Sequence, residues 1–109
     1  MRYCFALDLQ NDPALITEYE QWHRAIWPEI RSSILDAGIT DMEIYRLDTR
    51  LFMIMETGPD FSFEKKAAMD QANEKVQEWE ELMWKYQQPI PGSRPGEKWR
   101  LMDKIFTLK

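Results

Sequence analysis

Two hydrophobic periods alternate along this chain, and their order constrains the fold more than any other feature. The segment "RYCFALDLQ" has apolar residues at every second position, the pattern of a half-buried strand, so we expect strand one over about 2–10. The next apolar residues follow at steps of one, three and four, which indicates an amphipathic helix; they are Leu15, Ile16, Tyr19, Trp22, His23, Ile26 and Trp27.

Capping residues predict where the first helices begin and end. Asp12 is suited to cap the first helix, and Pro13 fits its first position because its missing N–H has no partner there. Pro28 cannot donate a hydrogen bond back into the helix, so the helix should kink or restart at "PEIRSSILDAG". Gly38 should end this second piece.

The remaining chain continues the alternation. Two β-rich runs near 39–48 and 50–57 predict a hairpin or two neighbouring strands. From 61 to 86 the pattern is helical in two pieces, with Asn73 as a cap between them. "QPIPGSRPGE" predicts a surface loop because of its prolines and glycines, and "KWRLMDKIFTLK" predicts a fourth strand.

The order strand, helix, strand, strand, helix, strand predicts an α+β, ferredoxin-like fold in one domain over 1–109. In this fold helices cover one face of a four-stranded antiparallel sheet. The run "LFMIMET" is apolar on both sides, yet the chain has helices enough for only one face. We therefore expect the other face to be buried against a second copy, as a homodimer of the dimeric α+β barrel type.

Charge and cysteine content limit which partners and which compartment we expect. The 14 Lys and Arg against 19 Asp and Glu give a net charge of -5, which argues against nucleic acid or an anionic membrane as partner. The single cysteine, Cys4, cannot form an internal disulfide, and no stretch approaches the length of a membrane span or a signal core. A cytoplasmic location is the expectation.

His23 is the first candidate for chemistry, with Tyr19 one helical turn before it on the same face. Two interpretations stay open: a core histidine satisfied by one hydrogen bond, or a residue that gives and takes protons near neutral pH. A metal site is not expected, because zinc sites gather three or four ligands and this chain has one His and one Cys.

Three other residues also have both a structural and a functional interpretation. Trp79 is either ordinary core or a flat wall that stacks on a sugar or an aromatic ligand. Tyr45 either points into the same cavity as His23 or packs in the sheet. Glu29 follows Pro28 and fits a favourable charge at a helix N-terminus better than a partner carboxylate for His23.

"YEQWHRAIWPEI" resembles the Tyr-x-x-x-His-x-x-x-Trp-Pro-Glu signature of the L-rhamnose mutarotase family. The opening strand, "IYRL", "VQEWEELM" and the closing strand also follow in the family's order. The resemblance implies a small ferredoxin-like dimer that interconverts the α and β anomers of a 6-deoxy sugar, without metal or cofactor. It also implies that His23 is the proton donor and that Tyr19 and Trp79 bind the substrate.

Two substrate-binding positions differ from the family's usual pattern. Met42 replaces a second tyrosine, and Glu80 replaces the second residue of a Trp-Trp pair. Such changes in a polar wall can alter specificity, so L-rhamnose and L-fucose both remain candidate substrates. Two alternatives from other classes are a dimeric module that binds a small metabolite without catalysis, and a cofactor-free oxygenase of the same fold.

Overall fold

The computed structural model describes all 109 residues and confirms the predicted α+β, ferredoxin-like class. Its elements follow in the order β1 (Arg2–Leu9), α1 (Pro13–Arg24), α2 (Pro28–Asp36), β2 (Ile39–Leu47), β3 (Arg50–Thr57), α3 (Phe63–Gln71), α4 (Glu74–Trp84), β4 (Gln87–Gln88) and β5 (Arg100–Leu101).

Local chemistry sets the helix boundaries as the sequence predicts. The Asp12 carboxylate accepts hydrogen bonds from the backbone N–H groups of Ala14 at 2.9 Å and Leu15 at 3.4 Å. The first helix ends at Arg24 and the second begins at Pro28, so the chain restarts at the proline rather than kinking. Asn73 caps α4 through its side-chain oxygen.

The sheet is antiparallel, with β1 between β3 on one side and the short strands β4 and β5 on the other. Along this second edge Leu9 is paired with Gln87, and Phe5 with Leu101. Both short strands run in the same direction, so they form one edge that residues 89–99 interrupt. The sheet therefore has five strands, not the four predicted.

The predicted closing strand at 98–109 is mostly wrong. Only Arg100–Leu101 is a strand, although the Met102 N–H still donates to the Cys4 carbonyl at 2.8 Å. β1 begins at Arg2, only two residues before Cys4, so its edge ends shortly after the contact with Met102. The last residues of the chain therefore have no strand to pair with. Their apolar side chains are exposed, Ile105 by 94% and Phe106 by 75%.

The two faces of the sheet differ in what covers them. Alternate residues of β1 and β3, such as Leu7, Leu51 and Met53, are buried on the face that the helices cover. The opposite face carries Phe52 and Ile54 from β3, both half-buried.

None of the helices is long and apolar enough to traverse a lipid bilayer.

Candidate functional site

A cavity of about 320 Å³ lies between the helix-covered face of the sheet and the helices. Its wall is mostly apolar and takes side chains from all four helices, from strands β1 to β4 and from the end of the 89–99 segment. A concave, mainly apolar space with a few polar groups is typical of a small-molecule site.

His23 lies in the last turn of α1 and lines this cavity. Its Nδ1 is 2.9 Å from the Tyr19 carbonyl oxygen, and because a carbonyl can only accept, Nδ1 is the donor. Nε2 then carries the lone pair of the neutral ring. Burial lowers the pKa of His23, and the hydrogen bond to the carbonyl opposes this only in part. A neutral imidazole with a fixed tautomer is able to take up a proton.

Tyr19 stacks beside this histidine one helical turn earlier. The two ring centroids are 4.3 Å apart, and Tyr19 is only 3% exposed. Burial raises the pKa of the Tyr19 phenol to about 12, while the nearby side-chain amide of Gln87 opposes the shift. The hydroxyl therefore stays protonated and can hold a polar ligand group without changing charge.

Trp79 belongs to both the core and the cavity wall. It is 8% exposed, lines the cavity, and its ring centroid is 5.7 Å from that of His23. Trp22 and Trp27 pack edge-on against Trp79 at 6.3 and 5.1 Å, but neither lines the cavity. The aromatic residues between 19 and 27 therefore have two roles: Tyr19 and His23 reach the cavity, while Trp22 and Trp27 support its wall from behind Trp79.

The structure places the other predicted site residues in two groups. Met42 and Glu80 line the cavity beside His23. Tyr45 does not: it is 53% exposed and donates a hydrogen bond to Glu43 at 3.1 Å. Strand alternation is the reason, because Ile44 takes the inward position and sends its neighbour outward. Glu29 is exposed in the first turn of α2, as expected of a helix N-terminal charge.

Sequence reasoning did not identify several polar residues of the cavity. Lys98 donates from Nζ to the Glu80 carbonyl at 3.0 Å, and burial lowers its pKa. Lys66 and Asp70 form an ion pair at 2.5 Å in the wall. Gln87 directly follows the predicted helical pattern, which ends at 86. Lys98 and Gln87 flank the 89–97 loop, where no periodic pattern marks which side chains point inward.

No three His, Cys, Asp or Glu side chains come close enough together to hold a metal ion. The polar groups in the cavity are instead an imidazole, a phenol, a serine hydroxyl, an amide, two lysines and two carboxylates. These groups can bind hydroxyls and transfer protons.

Comparison with known proteins gives the family. The family model described as L-rhamnose mutarotase matches residues 2–108. A protein named L-fucose mutarotase from Xanthomonas campestris is 49% identical over 109 residues, covering 98% of this chain and 87% of that protein. An L-rhamnose mutarotase from Phocaeicola vulgatus is 34% identical over 85 residues, covering 76% of this chain and 78% of its own.

A solved structure supports the fold. The crystal structure of an L-rhamnose mutarotase from Formosa agariphila superposes with a TM-score of 0.73 at 20% identity, covering 100% of this chain and 99% of that one. The family match spans nearly the whole chain and includes the helix that carries Tyr19 and His23. This chain belongs to the L-rhamnose mutarotase family, a family of isomerases.

Proposed function

We propose that this protein is a mutarotase that interconverts the α and β anomers of a 6-deoxy-L-hexose, L-fucose or L-rhamnose. The observation that carries the proposal is His23, a neutral imidazole with a fixed tautomer in the wall of a monosaccharide-sized cavity. Family membership favours this enzyme over the two alternatives, a binding module and an oxygenase.

His23 supplies the proton transfer that mutarotation needs. Its Nε2 accepts the proton of the anomeric hydroxyl, the C1–O5 bond breaks, and the ring oxygen takes a proton from the imidazolium or from water. The open aldehyde rotates about C1–C2, and the same steps in reverse close the ring on the other face. General acid–base help of this kind typically accelerates a reaction by about 10² to 10⁴.

The rest of the cavity fits a sugar that lacks the 6-hydroxyl. Tyr19 offers a protonated hydroxyl to a ring hydroxyl, and Trp79 offers an apolar surface to the C–H face of the ring. Ile44 and Met53 supply further apolar wall against which a methyl group at C5 can pack.

L-fucose is the substrate we favour. Met42 and Glu80 line the cavity where rhamnose mutarotases commonly carry tyrosine and tryptophan. The 49% identical relative is named for L-fucose. L-fucose and L-rhamnose differ in the orientation of ring hydroxyls, so a changed polar wall is the part of the site that should distinguish them.

Exchange NMR tests the proposed activity. We expect the α and β anomers of L-fucose to exchange faster with the protein than in buffer alone, and L-rhamnose to respond no more strongly than L-fucose. Heat-denatured protein is the control for buffer effects. Equal exchange rates with and without the protein, for every sugar in a panel of 6-deoxy-L-hexoses, would refute the proposed function.

We also propose that the protein works as a homodimer in the cytoplasm. The outer face of the sheet carries Phe52 and Ile54 without a helix over them, next to Leu47, which is 76% exposed. Exposed apolar side chains also follow β5, at Ile105 and Phe106. Uncovered apolar surface of this kind favours association with a second copy. The free Cys4 suits a reducing compartment.

A further inference from the structure

The side-chain amide of Gln87 is a polar group of the cavity wall that the proposed mechanism does not use. Gln87 is 4% exposed and lines the cavity with Tyr19 and His23. Its Oε1 is buried and has no hydrogen-bond partner in the protein. The other such atom, Ser93 Oγ, belongs to a residue that does not line the cavity.

The edge strand directs this side chain inward. Gln87 pairs with Leu9 of β1, and residues opposite each other in a sheet point to the same face. Leu9 is 2% exposed on the helix-covered face, so Gln87 lies on that face too. Its carbonyl accepts a hydrogen bond from Gln10 Nε2 at 3.2 Å, which adds a further contact to hold the segment in place.

The Gln87 amide is close enough to the Tyr19 phenol to lower the pKa that burial raises. An amide has a donating end and an accepting end, and its accepting oxygen, Oε1, has no partner in the protein. Turning the amide would exchange its two ends, and a single phenol could still pair with only one of them. Buried polar groups are nearly always hydrogen-bonded, so an unpaired one beside a cavity indicates a ligand group.

We propose that Gln87 binds a hydroxyl of the sugar substrate directly, next to the hydroxyl or ring position that Tyr19 contacts. This inference rests on the proposed mutarotase function. A sugar hydroxyl both donates and accepts, so it can satisfy the free end of the amide in either orientation. The buried setting makes the contact selective, because a sugar without that hydroxyl leaves the amide unpaired.

Replacement of Gln87 by methionine tests the inference. Met has a similar length but cannot form the amide's hydrogen bonds. We expect Gln87→Met to raise the KM for L-fucose about threefold to tenfold, the effect of one hydrogen bond, with kcat changed much less. Gln88→Met is the matched control, since Gln88 is the exposed neighbour on the same strand and does not line the cavity.

Singly deoxygenated analogues of L-fucose show whether the contact is direct. For the analogue that lacks the hydroxyl bound by Gln87, wild type and Gln87→Met should have equal KM values. For the other analogues the variant should keep its higher KM. A variant KM equal to wild type for L-fucose, or raised by the same factor for every analogue, overturns the inference while the mutarotase function stands.

Two further outcomes are distinguishable. If Gln87→Met fails to fold, Gln87→Asn replaces it, because Asn keeps the amide but withdraws it by one methylene; the same pattern across the analogues is expected, and its absence overturns the inference. If the wild type accelerates no sugar, the proposed function itself fails, and the role of Gln87 in sugar binding fails with it.

Discussion

At the scale of single residues, His23 can be interpreted as a core histidine or as a site residue, and the structure gives it features of both. It packs between Tyr19 and Trp79 with a satisfied Nδ1, as a core histidine does. It also lines the cavity, and its Nε2 is free of any protein partner. The two interpretations therefore predict different results for the same substitution.

We expect His23→Asn to fold and to lose activity. Asn keeps a polar side chain that can reach the same carbonyl, but it cannot transfer a proton near neutral pH. The anomer exchange rate should fall by roughly 10² or more, with little change in the melting temperature. A destabilised variant that keeps its activity per folded molecule would show instead that His23 is a structural residue.

The pH dependence of kcat/KM gives a second test at this scale. Burial lowers the pKa of His23 below its ordinary value of 6.5, so the ring is neutral at pH 7 and becomes charged only in more acidic solution. Since the neutral ring is the base, kcat/KM should be level from neutral pH upward and fall in acidic solution. A rate that rises as the solution becomes acidic would mean that the protonated ring is the active form.

The preference between L-fucose and L-rhamnose is also a property of single residues, and we expect Met42 and Glu80 to set it. We expect the double variant Met42→Tyr/Glu80→Trp to shift the ratio of kcat/KM values from L-fucose toward L-rhamnose. The measurement is anomer exchange with each sugar, on wild type and variant. Tyr45→Phe serves as the control, because Tyr45 lies outside the cavity and its change should leave the ratio unaltered. A wild type that converts only L-rhamnose would contradict the expectation.

At the scale of elements, local signals predicted the helices well and the edge strand poorly. The caps at Asp12 and Asn73 and the break at Pro28 depend on residues within one turn, and all three are confirmed. The pairing of Gln87 with Leu9 joins residues far apart in the chain, which no local period can reveal. For the same reason the cavity residues from helix α1 were predicted, while Gln87 and Lys98 were not.

The cap of α4 links this scale to the site, because α4 carries Trp79. The Asn73 side chain accepts from the backbone N–H groups of Lys75 at 3.0 Å and Val76 at 3.3 Å. We expect Asn73→Ala to lower the free energy of unfolding by about 1 kcal/mol. Urea denaturation measures it, with Asn11→Ala as an exposed control. Equal losses in both variants would show that the cap contributes nothing specific.

At the scale of the whole molecule, the helices cover one face of the sheet and leave the other face without a helix over it. Tyr45 and Leu47 of β2 are 53% and 76% exposed on this open face, beside the half-buried Phe52. The C-terminal residues leave β5 with their apolar side chains in solvent. The sequence predicted this imbalance from the doubly apolar "LFMIMET", since the strand pattern is local even though its partner is not.

If the protein forms a homodimer through this face, its mass in solution and the effect of substitutions on that mass can be predicted. At micromolar concentration, sedimentation velocity should give twice the chain mass of 13.1 kDa. Leu47→Glu places a charge in the apolar contact and should shift the mass toward the monomer, because an unpaired buried charge is costly. Leu35→Glu is the matched control: Leu35 is 57% exposed but lies on α2, on the helix side. A monomeric wild type, or equal dissociation by both variants, would show that the open face is not the interface.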